Sequence, residues 1–230
     1  QQYGIQWTLF RNLLHPNDNE NKANAIGWEN NQLWVGHAAL TSSSAHYYDE
    51  KVARGGTFQA GVSESPFNAW IDDWELKGKD WSNLTVQAHG KNFSYKIKIT
   101  SERSSLVSHG SNGYSIKSLN GGASFYYSQP FFKVKGWLID NGEKHMVEGV
   151  AWLDREWSSQ LLKRNQSGWD WISLHLNDGS KLMVFRVRAT EKKPYLSGTF
   201  INHLGRKKNI SMNTILLEPT TFTQLNQRTI

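Results

Sequence analysis

The chain has 230 residues, and its 26 lysine and arginine residues against 20 aspartate and glutamate residues give a formal net charge of +6. The positive charge is scattered without a nucleic-acid motif, and no apolar run approaches the roughly 18 residues of a membrane helix, so neither a nucleic-acid partner nor an integral membrane segment is expected. The absence of cysteine excludes structural disulfides, zinc–thiolate sites and cysteine nucleophiles.

Apolar side chains recur with a period of two along most of the chain, which predicts β strands. In 93–100, for example, Phe93, Tyr95 and Ile97 alternate with polar residues. Residues 65–74 are predicted instead as a short helical turn. In chain order, the predicted strands are 5–10, 32–40, 83–88, 93–100, 123–127, 131–138, 144–153, 169–176, 181–188, 195–201 and 214–218.

Short turn sequences such as Asp140-Asn-Gly142 separate these strands and are typical of hairpins, which predicts antiparallel sheets. Antiparallel sheets protect their edges by closing into barrels, and a small barrel can hold one small ligand. The polar stretch 158–168 has no strong period and is the predicted linker. It divides the chain into a first β-barrel domain, 1–160, and the start of a second, 161–230.

Six segments, taken together and in this order, resemble the AttH/carotenoid 1,2-hydratase-like (CrtC-like) family. They are Gln6-Trp-Thr-Leu-Phe-Arg11, Trp34-Val-Gly-His-Ala-Ala39, Pro66-Phe-Asn-Ala-Trp-Ile-Asp-Asp-Trp74, Tyr126-Tyr-Ser-Gln-Pro130, Gly149-Val-Ala-Trp-Leu-Asp-Arg-Glu-Trp-Ser158 and Gly168-Trp-Asp-Trp171. The resemblance implies an all-β protein with two antiparallel lipocalin-like barrels. Because the family's proteins are longer at both ends, we expect an interior portion, with a nearly complete first barrel and a partial second one.

The resemblance also implies a long apolar ligand in a β cavity, which suits a chain that contains 11 tryptophans. Two functions stay open. The first is binding of a lipid or isoprenoid; the second is hydratase, lyase or hydrolase chemistry on a polyene-type substrate, and an enzyme of this kind would be a hydro-lyase of the carotenoid 1,2-hydratase type. A sugar-binding β module is a third, weaker alternative. No cofactor is expected, and the resemblance suggests a periplasmic or secreted protein that works beside an envelope transport system.

The strongest candidate site is the group Trp152, Asp154 and Glu156, which share one face if 147–157 forms a single strand. Two carboxylates that close would repel, so the pKa of one should rise, and the resulting acid could protonate an alkene. Alternatively, both carboxylates only accept hydrogen bonds from arginine or tryptophan side chains and hold the strand in place.

The resemblance adds a third candidate catalytic residue. In the hydratases, the matching strand carries Tyr-Trp-Asp with the aspartate as proton donor, which aligns Asp154 with that acid and Trp152 with the tyrosine. Tyr126 and Ser128 stand where the hydratases have a histidine and a tryptophan before a proline. The acid is therefore kept while its partners differ, and Tyr126 offers a phenolic O–H.

Aromatic residues on two other strands are candidate ligand contacts. Trp169 and Trp171 share a face and could grip an apolar ligand, or they could be a core pair with Asp170 bound to an arginine. Trp34 and His37 lie beside small residues that indicate cavity space, where His37 would be an acid or base, or a hydrogen-bonded structural residue. The eight histidines show no metal-binding spacing, so no metal site is predicted.

Overall fold

The structure, a computed structural model, describes residues 1–14, 25–101, 106–118, 121–159, 165–190, 193–218 and 220–221. These residues form β strands and one short 3-10 helix, Met212–Thr214, without any α-helix. In the described part of the chain, no helix is long and apolar enough to span a membrane. The strands are β1 (Gly4–Leu13), β2 (Gln32–Thr41), β3 (His46–Arg54), β4 (Ala60–Glu64), β5 (Phe67–Ile71), β6 (Trp74–Asp80), β7 (Asn83–His89), β8 (Phe93–Thr100), β9 (Val107–Ser108), β10 (Tyr114–Ile116), β11 (Ala123–Asp140), β12 (Glu143–Trp157), β13 (Gln166–His175), β14 (Lys181–Ala189), β15 (Tyr195–Ile201) and β16 (Lys207–Ile210).

The chain divides into two compact units that are interleaved along the sequence. Unit 1 comprises Gln1–Ser105 and Phe131–Trp152, and unit 2 comprises Leu106–Pro130 and Leu153–Ile230. The long strands β11 and β12, which pair with each other, each contribute residues to both units. The division into barrel domains at 1–160 and 161–230 stays a prediction, and residues 160–164 of its linker lie outside the described residues.

Unit 1 contains two antiparallel sheets. One has the order β1–β2–β3, and the other follows β11–β8–β7–β6–β5–β4. Strand β8 illustrates why these sequences form strands. Every second residue of β8 is buried, while Lys96 and Lys98 between them are exposed. The most deeply buried side chains of unit 1 include Ile71, Trp74 and Leu138, each with 0% exposure.

Two predicted elements are wrong. Residues 65–74 do not form a helical turn, because Phe67, Ala69 and Ile71 alternate as the buried face of β5 and a tight turn leads into β6. Asp72 in that turn has φ +52°, a left-handed conformation that aspartate tolerates better than most residues. Residues 214–218 do not form a strand, since the 3-10 helix ends at Thr214 and the following four residues pair with no strand.

Unit 2 is built around the first part of β11 and a separate four-stranded sheet. Strands β9 and β10 pair antiparallel with β11, and β13–β14–β15–β16 form the other sheet. In that sheet Trp171 lies opposite Phe185, and Met183 lies opposite Thr199. Because directly opposed residues in a sheet project from the same face, this register places aromatic side chains of β13 and β14 side by side.

Candidate functional site

A carboxylate at the end of β12 collects hydrogen bonds from β11. Asp154 accepts a hydrogen bond from the phenolic hydroxyl of Tyr126 at 3.0 Å and another from the hydroxyl of Ser128, both on the same oxygen, Oδ1. Tyr126 and Ser128 are two residues apart on β11, so the pleat projects both side chains from one face. Both are buried, with 2% exposure for Tyr126 and 0% for Ser128. The carboxylate is thus held by two converging O–H donors.

A buried histidine extends this arrangement. His109 directly follows β9, and its Nε2 lies 2.6 Å from the Ser128 hydroxyl oxygen. Its Nδ1 lies 2.9 Å from the hydroxyl oxygen of Thr199 on β15. The imidazole is 1% exposed, and its ring centroid is 4.2 Å from that of Tyr126. We call Thr199, His109, Ser128, Asp154 and Tyr126 the buried polar network.

The network meets a partly exposed aromatic face at Trp171. The indole Nε1 donates a hydrogen bond to the hydroxyl oxygen of Tyr126 at 3.0 Å, while 42% of the residue remains exposed. Trp169, two residues earlier on β13, is 58% exposed. Because side chains two residues apart on a strand share a face, both indoles line the same side of β13.

Burial determines the ionisation of the tyrosine and the histidine. Desolvation raises the pKa of Tyr126 above its usual range, and the nearby charge of Asp154 raises it further. Desolvation also lowers the pKa of His109, to about 3, and the positive charges of Lys117 and Lys207 act in the same direction. Both side chains are therefore neutral at neutral pH.

Glu156 has different partners from Asp154. It accepts a hydrogen bond from the Ser124 hydroxyl at 2.5 Å and forms an ion pair with Lys117 at 2.8 Å. The Lys117 ammonium also lies 4.9 Å from the ring centroid of Tyr126 and 4.1 Å from that of Phe185. Lys117 thus neutralises Glu156 and places a positive charge over the ring of the network tyrosine.

The order of groups in the network is not that of a serine hydrolase. In a catalytic triad, the imidazole lies between the serine and the acid and removes the serine's proton. Here Ser128 lies between His109 and Asp154, and it is fully buried. The arrangement suits acid–base chemistry at Asp154 rather than nucleophilic attack by the serine.

The other predicted site residues are spread over both units. Trp34 is 5% exposed in the core of unit 1, with the Arg11 guanidinium over its ring. His37 projects from the opposite face of β2, and its Nε2 is 3.9 Å from a carboxylate oxygen of Glu50. Trp152 is partly exposed and belongs to unit 1, whereas Asp154 belongs to unit 2.

Asp170, considered in the sequence as a partner for an arginine, has two of them. Its Oδ2 lies 2.6 Å from Arg186 and its Oδ1 lies 3.8 Å from Arg188. This ion pair lies on the face of β13 opposite the two indoles. Trp169 and Trp171 project from the other face, where Trp171 reaches Tyr126 of the network.

Sequence reasoning missed His109 and Thr199. The two residues are 90 positions apart, and neither lies in a recognisable motif, so no local signal could have found them. Ser128 entered only as a departure from the hydratases at one position of the resemblance. Among the described residues, no group of three or more histidine, cysteine, aspartate or glutamate side chains could hold a metal ion.

Comparisons with known proteins give a consistent result. The model of the AttH-like family matches residues 1–229. The solved structure of an AttH protein from Nitrosomonas europaea is 30% identical and matches 92% of this chain with a TM-score of 0.78. Kievitone hydratase from Nectria haematococca is 16% identical and matches 90% of this chain with a TM-score of 0.57, a likeness that shows the fold alone. This chain spans 63% of the length of each of these two structures, and no curated protein matches its sequence significantly.

Proposed function

Since this chain belongs to the AttH-like family and has its nearly all-β, lipocalin-like fold, we propose that it binds a long apolar small molecule, a lipid or an isoprenoid. The observation that carries this proposal is the pair of partly exposed indoles on β13, Trp169 and Trp171, beside the Tyr126–Asp154 hydrogen bond. The indoles form an apolar surface, and the network provides a polar end.

The indole of Trp171 is prepared for an apolar ligand. A buried indole N–H without a partner is costly, but the Trp171 N–H already donates to Tyr126. A ligand can therefore cover the ring without leaving an unpaired donor. Burying the exposed half of one indole is worth about 2 kcal/mol at 25 cal/mol per Å².

The test is a fluorescence titration of the purified protein with a polyene fatty acid. We expect saturable binding, with at least tenfold weaker affinity in Trp169→Ala and in Trp171→Ala. The matched control is Trp28→Ala, since Trp28 is 79% exposed and belongs to unit 1; its loss should leave the affinity unchanged. Absence of binding by the wild-type protein, or equal losses in all three variants, would contradict the proposal.

A second candidate function is hydration of a polyene-type substrate, and the position of Asp154 favours it, since Tyr126 joins this carboxyl group to the partly exposed indole of Trp171. In this reaction the protonated carboxyl group of Asp154 would transfer its proton to one carbon of a double bond. Water would then add to the carbocation at the other carbon and return a proton to the carboxylate, so that Asp154 ends as it began. Tyr126 would help to hold the carboxyl group in place.

This second candidate is tested by incubating the protein with an acyclic isoprenoid polyene and detecting the alcohol by mass spectrometry. Asp154→Asn should abolish the product, and Tyr126→Phe should reduce it by about 10- to 100-fold. Glu148→Gln is the matched control, because Glu148 is an exposed carboxylate on the same strand. Product formation that persists in Asp154→Asn would exclude Asp154 as the proton donor.

A periplasmic or secreted location and work beside an envelope transport system remain proposals that rest on the family resemblance. Cell fractionation with an antibody against the protein would test the location. Recovery of the protein only from the cytoplasmic fraction would contradict it.

A further inference from the structure

The hydrogen bonds of the buried polar network can couple the ionisation of Asp154 at one end to the position of the imidazole proton near Thr199 at the other. In the arrangement with an ionised Asp154, the Ser128 hydroxyl donates to Asp154, as the geometry has it. A hydroxyl has one hydrogen, so Ser128 must then accept from His109, which requires the proton of the neutral imidazole on Nε2. Nδ1 is then an acceptor, and the Thr199 hydroxyl donates to it.

Asp154 protonated on Oδ1, the oxygen that Ser128 contacts, requires the opposite order. Its new O–H donates to Ser128, the Ser128 hydroxyl turns and donates to His109 Nε2, and the imidazole proton must then be on Nδ1, facing Thr199. The network gains one proton from water in this change. That proton is counted on Asp154, while Ser128, His109 and Thr199 each keep one hydrogen.

We infer that His109 is a positioning residue whose tautomer switches when Asp154 gains or loses a proton on Oδ1, with Ser128 as the link. Through Nε2, the neutral imidazole can either donate a hydrogen bond to Ser128 or accept one from it. It therefore supports either ionisation state of Asp154 without carrying a charge itself. This inference rests on the second candidate function, in which Asp154 is the proton donor. It explains what a fully buried histidine contributes to a carboxylic acid that it does not touch.

The surroundings favour a tautomer change over full protonation of the imidazole. Among the described residues, the charged and titratable groups that act on the network include Lys117 with its partner Glu156, Lys207 and the phenol of Tyr126. Both lysines oppose a positive charge on His109, and its burial does the same. Above about pH 3, the imidazole is neutral and can respond only by moving its single proton between the two nitrogens.

The experiment is nitrogen-15 NMR of the ligand-free protein with labelled histidine, since the shift of each ring nitrogen shows whether it carries the proton. The carbon-13 shift of the Asp154 carboxyl group is followed in the same titration from pH 8 to pH 4. We expect the His109 proton on Nε2 at high pH and on Nδ1 once Asp154 is protonated, with both shifts changing at the same pH. His109 shifts that stay constant while Asp154 titrates would overturn the inference.

Two variants keep the test independent of acid unfolding. Asp154→Ala at pH 7 removes the acceptor of Ser128, so the Ser128 hydroxyl should turn to His109 and place the imidazole proton on Nδ1. Ser128→Ala removes the link, and the His109 tautomer should then be the same at every pH. An unchanged Nε2–H tautomer in Asp154→Ala would refute the coupling, whereas the ligand-binding and product assays would still decide the proposed function separately.

Discussion

The buried His109 should make the protein sensitive to mild acid. Its pKa falls from 6.5 to about 3 on folding, so the folded state binds fewer protons than the unfolded state below pH 6.5. The contribution of His109 is therefore intact above pH 6.5 and is lost as the pH falls toward 3. At pH 4 the unfolded histidine is almost fully protonated while the folded one is almost neutral, which lowers the free energy of unfolding by roughly 3 kcal/mol.

Urea unfolding at pH 7 and pH 4, followed by tryptophan fluorescence, measures this effect. The comparison is His109→Gln, whose amide can replace the hydrogen bonds to Ser128 and Thr199 but cannot titrate. We expect the loss of stability between the two pH values to be smaller in the variant by roughly 3 kcal/mol. His175, whose pKa is also lowered by burial, contributes equally to both proteins. An identical loss in wild type and variant would refute the assignment of a neutral, buried His109.

Two further predictions concern the sheets and are checked by urea unfolding. Gly136→Ala should destabilise the protein by about 1 to 3 kcal/mol or more, because the added Cβ would lie 2.3 Å from the carbonyl oxygen of Lys96. Gly149→Ala should be close to neutral, since a Cβ there meets nothing within 4 Å; similar losses in both variants would contradict this account. Asp170→Asn should lower stability by about 2 kcal/mol, because it leaves the partly buried guanidinium of Arg186 without its carboxylate. If the free energy of unfolding is unchanged in Asp170→Asn, the ion pair makes no net contribution to stability.

The sequence predicts strands best where one face is buried. The predicted strands 93–100 and 195–201 coincide with β8 and β15, because burial of one face imposes a period of two that is visible in the residues. Strand β3 was missed, since its alternating exposure arises from polar residues such as Asp49 and Lys51 that carry no hydropathy signal. The short strands β9 and β10 are too brief to show any period.

The candidate site was predictable in part. Asp154 and Tyr126 were named from the sequence, and the structure brings them into direct hydrogen-bond contact. The prediction that Asp154 and Glu156 share one face agrees with their hydrogen bonds. Their partners Tyr126 and Ser124 are two residues apart on β11 and therefore also share a face. The catalytic roles of the two carboxylates and of Tyr126 stay predictions, as do ligand contacts by Trp152, Trp34 and His37.

The sequence by itself determined the alternating strands and their antiparallel hairpins, because these depend on neighbours along the chain. It also determined the family, because the matching segments and their order can be read without the fold. Only the tertiary structure decided which polar groups meet. His109 and Thr199 are brought together across 90 residues, and Lys117 meets Glu156 through the packing of β10, β11 and β12 rather than through spacing in the sequence. Hydropathy records which face of a strand is buried, but the partner of a buried polar atom depends on which strands pack against that face.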